Sequence, residues 1–306
     1  LMIASVIIIL QDESFEWLEE SDTTSVNDKL DRITACLEQI DGRLASAMNN
    51  IRSKGLIDAE YSDKKMDSGY TSLLYLFNDA YIYDCPSGSN ADIGTIIHEF
   101  GHYNCFYGKN LRSLYDSLNL DIAEIQSQGM QTVFYNYYPQ LNKEHGDIYK
   151  KNLIYTLLSS TLAGYCINEA EYEAYTTKDL TVEKADEIFA RAGEEYGLTE
   201  YTADGSWTFI PHVFQSPFYY ISYATSALAT LELFNVYSDD QTAGIKTYMK
   251  IVDTAPDSGF IETLESVGLE NVLDPETIRV LSEEVEKNAG LELSQEMIEY
   301  VLEEAA

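Results

Sequence analysis

The chain has 306 residues, of which 45% are hydrophobic and 12% aromatic, enough to bury one large core or two modest ones and unlike a disordered composition. Its 19 basic and 52 acidic residues give a formal charge of -33, which repels phosphate backbones and anionic membrane surfaces. Neither nucleic acid nor stable membrane association is expected, and a solvated acidic surface is the plain reading of the charge.

Leu1 to Leu10 is almost wholly apolar, yet no Lys or Arg precedes it and it is too short to span a bilayer. A buried strand or helix turn is expected there, and a chain that opens on Leu reads as a fragment of something longer. Asn27 to Lys54 reads as helix, with Leu30, Ile33, Leu37, Ile40, Leu44 and Met48 forming its buried stripe. Tyr70 to Cys85 is dense in aromatic and aliphatic residues and broken at Asn78-Asp79, which predicts a hairpin whose edge strand could hold an extended peptide.

His98-Glu99-Phe100-Gly101-His102 follows at once. On a helix, two imidazoles four residues apart share a face and can reach one Zn²⁺, while Glu99 stands beside the metal, where a general base acting on metal-activated water belongs. The reaction implied is hydrolysis of a peptide bond. Ser89 or Asn90 is expected to cap this helix, and Ile93, Ile96, Ile97 and Phe100 form a buried stripe on the side away from the two histidines.

Gly108-Lys109-Asn110 ends that periodicity, and a new helix is expected near Asn119. On it, Asp121 and Glu124 are i, i+3 neighbours able to face one point, and Glu124 lies 22 residues beyond His102. A helix packed on the first could deliver the Glu124 carboxylate as a third ligand; taken alone, a glutamate on a helix in so acidic a chain is a surface residue. Asn152 to Tyr175 is helical, and its Glu169, Glu171 and Glu173 are expected on a mostly solvated, partly core-facing helix end. Thr181 to Gly197 reads as an amphipathic helix stopped by the glycine.

Further on, Ser216-Pro217 reads as an N-cap and first helical residue, placing Tyr220 and Tyr223 one turn apart on the following helix, with His212 just ahead. Phenol and imidazole donors aimed at a cleft suit a developing oxyanion, although in a chain with 24 tyrosines such residues more often pack. The tail from Asp240 to Ala306 is expected to hold three or four short helices, one opened by Asp274-Pro275. Cys36, Cys85, Cys105 and Cys166 are widely spaced, so free thiols are expected and the compartment stays open, the cytoplasm slightly ahead of export.

Gly55-Leu56-Ile57-Asp58, Gly69-Tyr70, His98 to His102, Asp121-Ile122-Ala123-Glu124 with Ser127, and Ile210-Pro211-His212 through Tyr220 to Tyr223-Ala224-Thr225 stand in an order that resembles the catalytic half of oligoendopeptidase F and its thimet-oligopeptidase relatives. The resemblance runs from about residue 40 to 290. It implies a mainly α, multi-helix zincin-like domain with a small sheet before the zinc helix, over residues 59–306, with 1–58 a helical segment continuous with it. It further implies one Zn²⁺ on His98, His102 and Glu124, and Glu99 as base and proton shuttle. His212, Tyr220 and Tyr223 are implied as substrate or transition-state contacts, and short unstructured peptides as substrates. Two departures stand out. Gln131 occupies a position where the family usually has a carboxylate, and only 97 residues precede His98 where relatives carry a long helical region. The expected function is a zinc-dependent metalloendopeptidase; the alternative is a truncated peptide-binding relic that holds zinc with little or no turnover.

Overall fold

The structure, a computed structural model, describes residue 6 and residues 13–66, 68–109, 119–254 and 258–291. Apart from Val6, which is helical and buried, the apolar opening segment lies outside the described residues.

After a short helical stretch over residues 13–19, two helices, α1 (Val26–Ile40) and α2 (Gly42–Lys54), stand where the sequence pattern suggested one. The apolar stripe does run through both, and Leu30, Ile33, Leu37, Leu44 and Met48 are all buried. The break falls at Asp41, whose backbone is extended and whose carboxylate accepts Arg43 N–H at 2.7 Å. A residue whose side chain bonds its own downstream backbone competes with the helix it sits in, and here it starts a new one.

Strands β1 (Ile57–Asp58), β2 (Gly69–Leu74) and β3 (Asp79–Asp84) form one sheet in the order β1-β3-β2, with β2 and β3 the expected antiparallel hairpin and β1 added in parallel. Leu76 and Phe77 project from the hairpin turn, and Asn78 closes that turn with φ 51. Helix α3 (Asp92–Phe106) carries the histidines, and α4 (Leu120–Val133) follows with Asn119 as its N-cap, accepting Asp121 N–H at 3.0 Å. Then come α5 (Gly146–Thr176), α6 (Val182–Tyr196), the short α7 (His212–Gln215), α8 (Ile221–Asp239), α9 (Gln241–Asp253), α10 (Phe260–Val267) and α11 (Pro275–Ala289). Thr181 and Gly197 bound α6 and Asp274 caps α11, as the sequence patterns predict.

Two compact units divide the chain. One comprises residues 12–153 and 232–270 and the other residues 154–231 with the two chain ends, so that α5 and α8 each run from one unit into the next. In the first unit the sheet, α1 to α4 and α9 share a core built on Ile33, Leu37, Ile82, Ile97, Phe100 and Ile125. Two close approaches tighten it. A Cβ on Gly101 would lie 2.6 Å from Gln126 O and Ser127 Cα, so α3 and α4 touch backbone to backbone, and a Cβ on Gly129 would lie 2.8 Å from the Tyr248 ring of α9. The second unit packs Cys166, Ile167 and Ala170 of α5 against Phe189 of α6, Trp207 and Val213. Phe189 and Trp207 stack at 4.5 Å. All four cysteines are free thiols. Among the described residues no helix is long and apolar enough to cross a membrane.

Candidate metal centre

Helix α3 is amphipathic in the sense its sequence predicts: Ile93, Ile96, Ile97 and Phe100 are buried, while His98 and His102 face partly open space. Its start differs from expectation. Ala91 takes the cap position with no side-chain bond, because Ser89 Oγ is spent on Ala91 N–H and Asn90 donates to Trp17 O. The loop is secured instead by Asp92, whose carboxylate accepts Ser87 N–H at 2.9 Å and Gly88 N–H at 3.0 Å and faces the buried Lys29. At the other end the Tyr103 hydroxyl takes a bond from Asn50 of α2 and donates to Asp79 of β3, fixing the helix between two neighbours.

Because α4 lies directly on Gly101, Glu124 is delivered to the two imidazoles. Glu124 Oε2 stands 3.3 Å from His98 Nε2 and 3.6 Å from His102 Nε2. Ligand atoms about 2.0–2.2 Å from a tetrahedral metal lie about 3.3–3.6 Å apart, so these spacings fit the edges of such a shell. The three donor atoms all lie within 4.8 Å of one another, and among the described residues this is the group of carboxylates, imidazoles and thiols able to hold an ion. Asp121, the neighbour expected to share the point, is not in it. Glu124 is anchored by Ser127 Oγ, which donates to its Oε2 at 2.9 Å. His98 Nδ1 pairs with Gln131 Oε1 at 3.2 Å, which turns its Nε2 to the cluster, the role an outer amide or carboxylate plays for a metal-bound histidine.

The electrostatics fit a cation. Burial alone would depress the His98 imidazole, but the hydrogen bond and charge of Glu124 outweigh it and hold it up at about 9. His102, desolvated and beside a charged His98, is pushed down. Burial would raise Glu124, yet the two imidazoles hold its carboxyl at about 2. The cluster is thus an ionised carboxylate that draws positive charge into a buried place, and a divalent ion supplies more of it than one proton.

Glu99 is 94% buried on the same helix and touches the sheet. Thr71 Oγ of the edge strand β2 lies 2.8 Å from Glu99 Oε2, as its donor, and 2.9 Å from Glu99 O. Gly69 of the same strand passes so close that a Cβ there would stand 3.4 Å from Asp84 Oδ1 and 3.6 Å from Glu99 Oε1. Asp84 is itself buried, and desolvation together with the charges of Asp92 and Glu99 pushes its carboxyl up to about 6. Neither Thr71 nor Asp84 was singled out by sequence reading. Half-buried Gly69 and Thr71 alternate with exposed Tyr70 and Ser72 along β2, but the residue types themselves carry no such alternation, so nothing in the sequence marks Thr71.

In the other unit His212, Tyr220 and Tyr223 do come together. The Tyr223 hydroxyl is 3.4 Å from His212 Nε2, and the imidazole lies 5.5 Å from the Tyr220 ring and 5.7 Å from the Tyr223 ring, with Tyr219 as a fourth member at 5.4 Å. The predicted helix start is corrected. α8 begins at Ile221, so only Tyr223 is helical, and Ser216 to Tyr220 is a loop in which Phe218 has φ 64. A left-handed residue two positions after the serine cannot continue a helix, which defeats the Ser-Pro signal. The alternating glutamates of α5 lie on a partly core-facing helix end, as expected: Glu169 is exposed, Glu173 half-buried and Glu171 the one turned fully into the core.

With this geometry in hand, the likeness to known proteins is specific. Pz peptidase A solved with an inhibitor superposes with a TM-score of 0.83 at 16% identity, over 94% of this chain and 56% of that one. A candidate oligoendopeptidase F gives 0.83 and 16%, over 95% and 57%. A candidate oligoendopeptidase F from Bacillus anthracis str. Ames gives 0.76 and 17%, over 90% and 48%. At such identity these share the fold, and the chain spans about half the length of each. No curated protein matches the chain. The family described as Peptidase family M3 matches residues 46–254, well over half of the sequence and spanning both the histidine helix and the tyrosine cluster, and the chain belongs to that family.

Proposed function

We propose that the chain is a zinc-dependent metalloendopeptidase of the oligopeptidase type, with residues 59–306 as its catalytic body and short unstructured peptides as its substrates. The observation that carries this reading is the spacing of His98 Nε2, His102 Nε2 and Glu124 Oε2, which fits a tetrahedral shell. Those three residues would hold the ion. Bound there, zinc supplies Lewis acidity, which makes water a better nucleophile and polarises a carbonyl.

The chain's own residues do the rest. Glu99 takes a proton from the attacking water as its oxygen bonds to the peptide carbonyl carbon, and returns that proton to the amine nitrogen as the C–N bond breaks. Thr71 keeps the Glu99 carboxylate in one rotamer by its bond to Oε2. The outer edge of β2, unpaired among the described residues, offers backbone groups to an extended peptide, which favours unstructured substrates over folded ones. His212, Tyr220 and Tyr223 are proposed as donors to the oxyanion.

Purified chain should contain one zinc and cleave a quenched fluorescent peptide, with a chelator abolishing cleavage and added zinc restoring it. One equivalent of zinc with no cleavage of any unstructured peptide would make the chain a peptide-binding relic instead. Absence of zinc binding would end both readings.

A further inference from the structure

Glu171 is the one glutamate of the α5 trio that is wholly buried, and nothing in the mechanism uses it. Its Oε2 accepts the backbone N–H of Phe218 at 3.3 Å, while its Oε1 is buried with no hydrogen-bond partner among the described residues. A buried carboxyl satisfied on one side only costs folding free energy, so an apolar residue would serve the core better. What it bonds is informative. Phe218 stands at φ 64, a conformation unfavourable for a residue with a Cβ, in the loop between the helix of His212 and the helix of Tyr223.

Helix α5 grips this segment at three successive places. Tyr175 donates to Val213 O at 3.0 Å, next to His212. Glu171 takes Phe218 N–H, and the Tyr175 and Phe218 rings meet at 5.4 Å. Gly164 approaches Ala224, next to Tyr223, so closely that a Cβ would lie 2.5 Å from the alanine Cβ. The middle contact is the one that opposes backbone strain. Burial raises the Glu171 carboxyl and the Phe218 N–H lowers it, as expected of a group kept out of water by this bond.

We propose that Glu171 is a positioning residue, which by accepting the Phe218 N–H holds the loop in its left-handed conformation and so sets where His212, Tyr220 and Tyr223 stand. As a statement about activity this rests on the proposed peptidase reading; as a statement about the cluster it does not. Glu171→Gln keeps an acceptor oxygen and the volume, Glu171→Leu keeps only the bulk, and Phe218→Gly removes the conformational penalty because glycine adopts this φ freely.

In the zinc-loaded chain, Glu171→Gln should behave as wild type. Glu171→Leu should lose on the order of 10-fold in kcat with KM little changed, the scale of a sub-ångström misplacement of donors, and should shift the His212 ring resonances. Those resonances are assigned among the four histidines by comparison with His212→Gln. Adding Phe218→Gly to Glu171→Leu should return both kcat and the resonances most of the way. Unmoved His212 signals in Glu171→Leu, or a loss that Phe218→Gly does not relieve, would overturn the proposal. So would failure of both Leu variants to fold, since Glu171 would then serve the core alone. A wild-type chain that cleaves nothing would sink the peptidase reading and leave the resonances to decide this one.

Discussion

At the scale of single residues the proposed site separates groups that would hold a metal from groups that would do chemistry. Glu99 points its carboxylate at Thr71 and not at the histidines' donor atoms, so Glu99→Gln should leave zinc stoichiometry intact while kcat falls at least about 10²-fold. Near-normal turnover at full zinc content would remove Glu99 from the proposed role. Gln131 offers His98 Nδ1 a neutral amide oxygen where a carboxylate would give a stronger, charged acceptor. Gln131→Glu should therefore tighten zinc by roughly 10-fold in a chelator competition, since outer hydrogen-bond partners of metal-bound histidines carry about that much. Unchanged or weaker affinity would show that the 3.2 Å pairing does not tune the metal. Tyr223 has its hydroxyl at His212 and not in the core, so Tyr223→Phe should cost on the order of 10²-fold in kcat with an unchanged melting temperature. A lowered melting temperature at unchanged kcat would return it to a packing role.

Helix contacts decide whether those residues meet. Neither histidine can recruit Glu124 unless α4 sits directly on α3, and that approach exists because residue 101 has no side chain. In Gly101→Ala the new methyl would meet backbone at 2.6 Å on Gln126 and Ser127, atoms that cannot rotate aside. α4 must move, at a cost of about 1–3 kcal/mol for overpacking, and Glu124 moves with it. Zinc affinity should fall by more than the folded fraction does, as read by urea melts alongside zinc titration. A variant with reduced stability but unaltered zinc affinity would show that α4 takes up the methyl without displacing Glu124.

Across the whole molecule, charge is the dominant property. With 52 acidic and 19 basic residues, most carboxylates have no cationic partner, and pairs such as Arg43 with Asp253 or Arg52 with Asp31 are a minority. Repulsion among the remainder opposes the compact state. Raising ionic strength from about 10 mM to about 150 mM shortens the screening length from about 30 Å to about 8 Å, so the melting temperature should rise. A flat or falling melting temperature would mean that the surplus charge is too dispersed for self-repulsion to matter.

Much of this protein was legible without coordinates because it depends on short-range periodicity. The i, i+4 histidines, the opposed isoleucine stripe, the helix start near Asn119 and the Gly197 stop are all set by neighbours within two turns, and each stands where the sequence places it. Three things needed the tertiary fold. The loop at Phe218 is a backbone choice in which a side-chain bond from a helix some fifty residues away in sequence overrides the helical pattern, whereas the break at Asp41 rests on a local bond that the apolar stripe simply masked. Thr71 and Glu171 look like ordinary strand and helix residues until a distant element is laid against them. Likewise, three donor atoms come within 4.8 Å of one another, and so could hold an ion, only when two helices touch through a glycine, for a distance between side chains far apart in sequence is fixed by packing and not by propensity.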